Sequence, residues 1–284
     1  MKLDAHQHFW QYNAREYGWM GAGMERLQRD HLPEDLRPFL TSTSFDGTIA
    51  VQARQTMEET RWLLDLAAAN PFIKGVVGWV DLCSDGLRQQ LDELAENPKL
   101  VGVRHVIHDE PDDAFMLRDD FGRGLGLLAD YNLVYDLLLF PKHLPAACEL
   151  VAQFPNQPFV LDHIAKPFIK AGVLSPWAED LRRLAAYPNV ACKVSGMVTE
   201  ADWQAWQPAD FRPYLDVVFA AFGPDRLMFG SDWPVCTVAG SYGQVVGLVA
   251  DYVAQLSEAE QTAVFDAVFD AVFGTTAARI YGAH

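Results

Sequence analysis

The feature that most constrains this chain is an alternation. Eight short β-rich apolar runs punctuate it: KLDAHQHF (2–9), GTIAVQA (47–53), KGVVGWVDL (74–82), LVGVRHVIH (100–108), LVYDLLL (133–139), PFVLDHI (158–164), NVACKVSG (189–196) and RLMFGSDW (226–233). Between most of them lie stretches with helical spacing of apolar residues, such as MEETRWLLDLAAAN (57–70) and SPWAEDLRRLAAYP (175–188). Several of these close on Asn-Pro, Tyr-Pro or Gly-Pro, which stop a helix before the next strand. Strands that alternate with helices pair in parallel, and eight is the number that closes a barrel. The expected fold is therefore α/β, a single (β/α)8 TIM-type barrel spanning residues 1–284 as one domain. An open doubly wound sheet is the weaker alternative, because no glycine-rich phosphate loop follows the first run.

Two segments depart from the rhythm. Residues 9–45 are irregular and rich in aromatics and charge, which reads as a long β1–α1 excursion forming a lid or pocket wall. AVFDAVFDAVFG (263–274) repeats every four residues, giving a broad apolar face on a packing helix that Gly274 ends, with a last helix over TAARIY.

Composition narrows the function classes. The net charge of −16 disfavours polyanionic partners such as nucleic acid, and no basic cluster suits an anionic membrane. Four scattered cysteines without a C-x-x-C fit reduced thiols in a cytosol rather than a disulfide or zinc scaffold. The N-terminus runs straight into DAHQHFW without an apolar signal region, and no apolar stretch approaches the ~18 residues of a membrane span. The expectation is a cytoplasmic monomer or homodimer acting on a small molecule.

In a closed barrel, chemistry sits at the C-terminal ends of the strands. There the chain offers His6 and His8, two residues apart and hence on one face of an extended strand. Further ends carry Gln52 and Arg54; Trp79 and Asp81; Arg104, His105 and His108; Asp136; His163 and Lys166; Lys193 and Ser195; and Asp232 with Trp233. Packing alone would not place polar groups on strand end after strand end, since each costs about 1–3 kcal/mol when buried unpaired. Simpler roles exist for some of them. His105 and His108 can cap a strand end, Lys193 can snorkel, and the tryptophans can be core. His31, His143 and His284 read as surface residues.

The ordered set DAHQHFW, GVRHVIHDEPDD, LDHIAKP, CKVSG, FGSDWPV and VFGTTAARIYG resembles the amidohydrolase superfamily. More narrowly it resembles the sugar-lactone hydrolase branch that holds L-fuconolactonases and L-rhamnonolactonases. The resemblance implies a site of His6, His8, His163 and Asp232. Three imidazoles and a carboxylate suit one divalent ion, zinc first, which would make hydroxide near neutral pH. A two-metal site is not expected, because Arg104 and His105 stand where binuclear members carry lysine or glutamate. Lactones are activated esters that need less electrophilic help than amides, so the resemblance leaves open whether one metal or none is required; no organic cofactor is implied.

The expected reaction is water attack on an L-fuconolactone-like aldonolactone, giving the aldonic acid. Asp232 is the general base, and His6, His8 and His163 stabilise the tetrahedral oxyanion. Gln52, Arg54, Trp79, Arg104, His105, Asp136, Lys166 and Trp233 would hold the sugar. Two rivals stand: hydrolysis of a carboxylated lactone or pyrone, or metal-dependent decarboxylation, on the same ligands; and a non-catalytic sugar-acid binding protein.

Overall fold

The computed structural model describes residues 1–257 and 269–283. Its eight strands are β1 (Leu3–Gln7), β2 (Gly47–Val51), β3 (Ile73–Gly78), β4 (Leu100–His105), β5 (Val134–Leu137), β6 (Phe159–Leu161), β7 (Val190–Val194) and β8 (Leu227–Phe229). They are ordered β1 to β8 around one sheet. Neighbours from β1–β2 through β7–β8 pair in parallel. The ring closes just past the strand ends, where the His8 N–H donates to Trp233 O at 2.7 Å and the Asp232 N–H to His6 O at 2.8 Å. This is a (β/α)8 barrel.

All eight sequence runs became strands, but each strand is shorter than its run. The residues beyond the observed strands, such as HF, WVDL, VIH and GSDW, leave the sheet and turn over the mouth. Helices α2 (Met57–Ala69), α3 (Leu87–Leu94), α4 (Asp119–Leu125), α5 (Leu144–Gln153), α6 (Trp177–Ala185) and α7 (Pro208–Phe222) follow the helical segments. The excursion needs correction: its last third is a helix, α1 (Pro33–Thr43), so the irregular part ends near residue 32. Pro33 opens that helix and the Asp35 carboxylate accepts the Leu32 N–H at 3.0 Å, a start signal hidden among aromatic and charged neighbours. A further helix, α8 (Tyr242–Ser257), lies outside the segments read from the sequence.

The barrel interior has two layers. Its lower layer is apolar: Leu3, Ala5, Ile49, Val51, Val77 and Val134 pack there, with Tyr281 and Ala283 from the chain's end closing the floor. Asp4 turns outward to Tyr242 on α8. The β1 register slips against β2 between Asp4 and Gln7, and beyond the slip His6 takes the interior position. Of the C-terminal repeat, residues 263–268 lie outside the described residues. Gly274 does not end a helix. It sits in a π-helical turn, Ala271–Thr275, that runs on into a terminal helix, Thr276–Tyr281. Two histidines read as surface residues are buried. His31 packs edge-on against Trp10 and Trp233, and His143 Nδ1 accepts the Phe140 N–H at 3.1 Å. His284 lies outside the described residues.

Candidate active site

Three loops at the C-terminal rim assemble the site. From β1, His6 and His8 face each other with Nε2 atoms 3.2 Å apart. From the β8 end, Asp232 brings Oδ1 to 3.4 Å from His8 Nε2 and 3.9 Å from His6 Nε2. From the β6 end, His163 places Nε2 4.0 Å from the same oxygen, and its ring centroid is 4.4 Å from that of His6.

Backbone strain holds this convergence. His163, Ile164, Ala165 and Lys166 all have φ between 49° and 60°, a left-handed turn that non-glycine residues avoid. It is tied down by Trp177, whose indole N–H donates to Ile164 O at 2.8 Å. Asp232 also has positive φ, 57°. Its loop is clamped by Asp4, which accepts the Ser231 N–H at 2.9 Å, the Ser231 hydroxyl at 2.6 Å and the Tyr242 hydroxyl at 3.1 Å. Two glycines make room. A Cβ on Gly196 would fall 2.5 Å from His163 Nδ1, and one on Gly230 2.6 Å from His6 Cβ. The glycines of CKVSG and FGSDW thus belong to the site as surely as the histidines do.

Each histidine is oriented from behind. His8 Nδ1–H donates to Val51 O at 2.8 Å, which turns Nε2 toward the cluster. His163 Nδ1 lies 2.8 Å from Ser195 Oγ. His6 Nδ1 lies 3.2 Å from Lys193 Nζ and 3.3 Å from Asp162 Oδ1. Burial drives the pKa of both His6 and His163 well below the usual imidazole value, so both are neutral. Burial would raise Asp232, but His163, His8 and Lys166 around it outweigh that, and its carboxyl is held below the ordinary range.

His6, His8 and Asp232 present ligand atoms that all lie within 4.8 Å of one another. Donors on a tetrahedral zinc stand about 3.3 Å apart for bonds of about 2.0–2.1 Å; the 3.2 and 3.4 Å separations match that spacing, and the 3.9 Å between His6 Nε2 and Asp232 Oδ1 is wider. His8 Nε2 and the Asp232 oxygen face each other at 3.4 Å. Each histidine has a partner on its other nitrogen, as metal ligands do.

Below this rim lies a buried ionic layer. Arg104 donates through Nη1 to Asp162 Oδ2 at 2.9 Å and through Nη2 to Gln52 O at 2.5 Å. Lys193 Nζ donates to Asp136 Oδ2 at 2.5 Å and lies 3.0 Å from Asp162 Oδ1. The Tyr281 hydroxyl reaches Asp136 from the floor at 2.8 Å.

Above the rim is a cavity of about 190 Å³. His8, His163, Asp232, Arg104 and Lys166 supply its polar wall; Val106, Leu138 and Val235 supply an apolar one, with Trp19 at the entrance. Larger hollows, of about 470 and 560 Å³ around Trp203, hold none of these facing histidines and carboxylates.

The other residues singled out from the sequence are distributed as follows. Arg104 and Lys166 line the cavity. Gln52 and Asp136 point into the barrel below it, bracing Arg104 and Lys193. Arg54 turns away to Glu16 of the excursion, with Glu59 beneath. Trp79 and His105 meet each other at 3.4 Å outside the cavity lining, and His105 continues to Glu110 at 2.6 Å. Trp233 is buried under the excursion against Phe9 and His31. The strand-end rule selects these positions, but alternation sends only some of their side chains to the mouth. His108 and Asp109 do line the cavity, carried there by a single 3-10 turn after β4. Burial, with Lys166 and Arg104 nearby, lowers His108 to about 3.

A parallel eightfold barrel with histidines on its first and sixth strand ends and an aspartate on its eighth defines a class. Residues 3–283 match the amidohydrolase family, and the chain belongs to it. Among characterised relatives it is similar to the L-fucono-1,5-lactonase of Burkholderia multivorans, at 43% identity over 99% of this chain and 96% of that one. It is also similar to the L-fucono-1,5-lactonase of Burkholderia ambifaria, at 38% identity over 92% of this chain and 87% of that one. An amidohydrolase from Burkholderia multivorans solved with bound zinc superposes with a TM-score of 0.92, at 43% identity and full coverage of both chains.

Proposed function

We infer that this chain is a lactone hydrolase that opens a sugar-derived lactone of the L-fuconolactone type to its aldonic acid. The observation that carries this reading is the 43% identity to an L-fucono-1,5-lactonase over 99% of the chain.

The chemistry follows from the rim. Asp232, kept ionised, takes a proton from a water held between it and His8, and that water attacks the lactone carbonyl. The carbonyl oxygen gains charge as the tetrahedral intermediate forms, and the His163 ring N–H beside Asp232 is the donor for it, with the Arg104 guanidinium in the same cavity wall. Collapse breaks the acyl–oxygen bond, and the ring oxygen leaves as the sugar's hydroxyl after taking up the proton that Asp232 removed. His6, His8 and Asp232, with His163 beside them, are the residues that would hold a divalent ion such as zinc; bound there, it would supply Lewis-acid polarisation. The apolar wall of Val106, Leu138 and Val235 suits a ring edge bearing few hydroxyls.

Neutral lactones are favoured over carboxylated ones because the cations at the mouth are already engaged. Arg104 holds Asp162, Lys166 holds Glu200 at 3.1 Å, and Arg54 holds Glu16. A second substrate carboxylate would have to break one of these pairs. We further read residues 1–284 as one barrel domain, active as a monomer or homodimer in a reducing cytoplasm and serving carbohydrate metabolism. The four free cysteines accord with that setting. Among the described residues no helix is long and apolar enough to cross a membrane.

The test is acid release, followed by pH-stat, from a panel of neutral aldonolactones and carboxylated lactones, with and without chelator. Turnover of neutral 6-deoxy or pentono-lactones is expected. Binding without acid release would make this a non-catalytic sugar-acid binder, and preference for the carboxylated lactones would overturn the substrate class.

A further inference from the structure

One cation of the cavity wall is held from the rim rather than from the barrel interior. Lys166 ends the left-handed turn after β6, lines the cavity, and donates through Nζ to Glu200 Oε1 at 3.1 Å. Both side chains are partly exposed, and among the described residues no other carboxylate lies within 4.0 Å of this ammonium. The remaining cations are fixed elsewhere. Arg104 is held by the buried Asp162 and by Gln52 O, Lys193 stands against Asp136 below, and Arg54 faces away to Glu16. Each cation near the cavity thus has its own carboxylate. Asp232 and the rim residue Asp109 then add negative charge to the lining with no further cation to match it. Opening a neutral lactone leaves a carboxylate that is ionised at neutral pH. The substrate enters this acidic cavity uncharged and the product must leave it as an anion.

We propose that Glu200 is a specificity-determining residue: by pairing with Lys166 it keeps this cation from the product carboxylate, so that the acid formed by ring opening is released rather than held. The identity of that anion rests on the lactonase reading. A neutral lactone asks nothing of the Lys166 charge, whereas an aldonate would draw the ammonium to itself if Glu200 did not already engage it. The pair also sits where its charge can change without disturbing the barrel. Glu200 ends a 3-10 turn after β7, Val198–Glu200, and the β6 and β7 loops are tied a second time by Lys170 and Asp202 at 3.1 Å. The Tyr214 hydroxyl braces the β6 loop from α7, donating to Phe168 O at 3.2 Å. A single ion pair at a solvent-accessible rim adds little to stability. Its value lies in which anion it leaves unbound. Any ion held by the histidines would act on the protein with and without Glu200 alike, so the effect of this residue is read as a difference between the two.

Glu200→Gln keeps the shape of the side chain and an acceptor oxygen, and removes the charge. L-Fuconate is the probe, and calorimetry measures its binding without any need for turnover. Its affinity is expected to rise about tenfold over the unaltered protein, and the gain is expected to shrink in about 0.5 M salt. Initial rates on a neutral aldonolactone should stay within about threefold, while inhibition by added L-fuconate becomes about tenfold stronger. Glu200→Ala, which leaves Lys166 no acceptor at that place, should gain at least as much and serves if the glutamine variant folds poorly. Adding Lys166→Met to either should abolish the gain. A purely structural Glu200 would lose fuconate affinity with its loop, not gain it. Unchanged or weaker binding in both single variants, or a gain that survives Lys166→Met, overturns the proposal. Absence of acid release from every neutral lactone would remove the lactonase reading; acid release with fuconate binding unchanged in the variants would remove only the role of Glu200.

Discussion

The same strands carry two polar layers a few ångströms apart, and they are built on opposite principles. In the lower one, Lys193 and Arg104 face Asp136 and Asp162, two cations against two anions, and Tyr281 adds a hydroxyl from the floor. In the upper one, Asp232 is a single anion facing three imidazoles, two of which, His6 and His163, burial keeps neutral. The lower layer sets cation against carboxylate, although Arg104 Nε and Asp162 Oδ1 have no hydrogen-bond partner among the described residues, and the upper one turns Asp232 and the histidines to the cavity. A buried, charge-balanced ion network thus underlies the layer that faces substrate.

That contrast predicts which changes hurt activity and which hurt stability. The largest effect belongs to the upper layer. Asp232→Asn should lower kcat for lactone opening about 10³-fold, worth about 4 kcal/mol of barrier, while unfolding free energy stays within about 1 kcal/mol. Steady-state rates paired with urea melts read both; comparable losses in the two would merge the layers. Lys193→Met should behave in the reverse manner, losing about 3–5 kcal/mol of stability because it leaves the buried Asp136 without a cation and removes one of the two cations facing Asp162. Adding Asp136→Asn should restore most of it in the same melts. Tyr281→Phe removes a hydrogen bond to a charged group at the floor. It should cost about 1.5–3 kcal/mol of stability and leave kcat within about threefold.

The smallest effect lies at the rim wall, outside both layers. Glu59 is buried on α2, accepts the N–H groups of Ala53 and Arg54 at 2.9 and 2.6 Å, and touches the excursion through Tyr17. Burial raises its carboxyl to about 7 from an ordinary 4.5. The folded protein thus binds more protons than the unfolded chain between those values, so this group's contribution to stability falls as pH rises through that window. The decline should be about 1–2 kcal/mol between pH 5 and 7 and should flatten in Glu59→Gln. A slope unchanged by the substitution would assign it to other groups.

The two layers were unequally legible in the sequence. The upper one announces itself: His6 and His8 two apart, His163 and Asp232 at strand ends whose position the βα rhythm supplies. The lower one does not. Asp162 adjoins His163, yet the left-handed turn that starts at His163 sends one side chain into the barrel and its neighbour over the rim. Tyr281 reaches Asp136 across 145 residues, with no local signal to announce it. The β1 slip and the left-handed turn at His163–Lys166 are likewise silent, because no glycine marks either. Strand runs were read too long where His108 and Asp109 leave the sheet in a 3-10 turn, which carries them to the cavity. Gln52 and Asp136 were placed at the right strand ends but one layer too high.

The central claim is spatial: lactone chemistry takes place in the 190 Å³ cavity, against Asp232 and the facing histidines. The most direct measurement is a crystal structure of Asp232→Asn soaked with an intact neutral aldonolactone. The account predicts the lactone carbonyl carbon inside that cavity, one water away from residue 232, with the carbonyl oxygen turned toward Arg104 or His163. A lactone bound instead in the Trp203 hollow, or with its carbonyl facing away from residue 232, would contradict it.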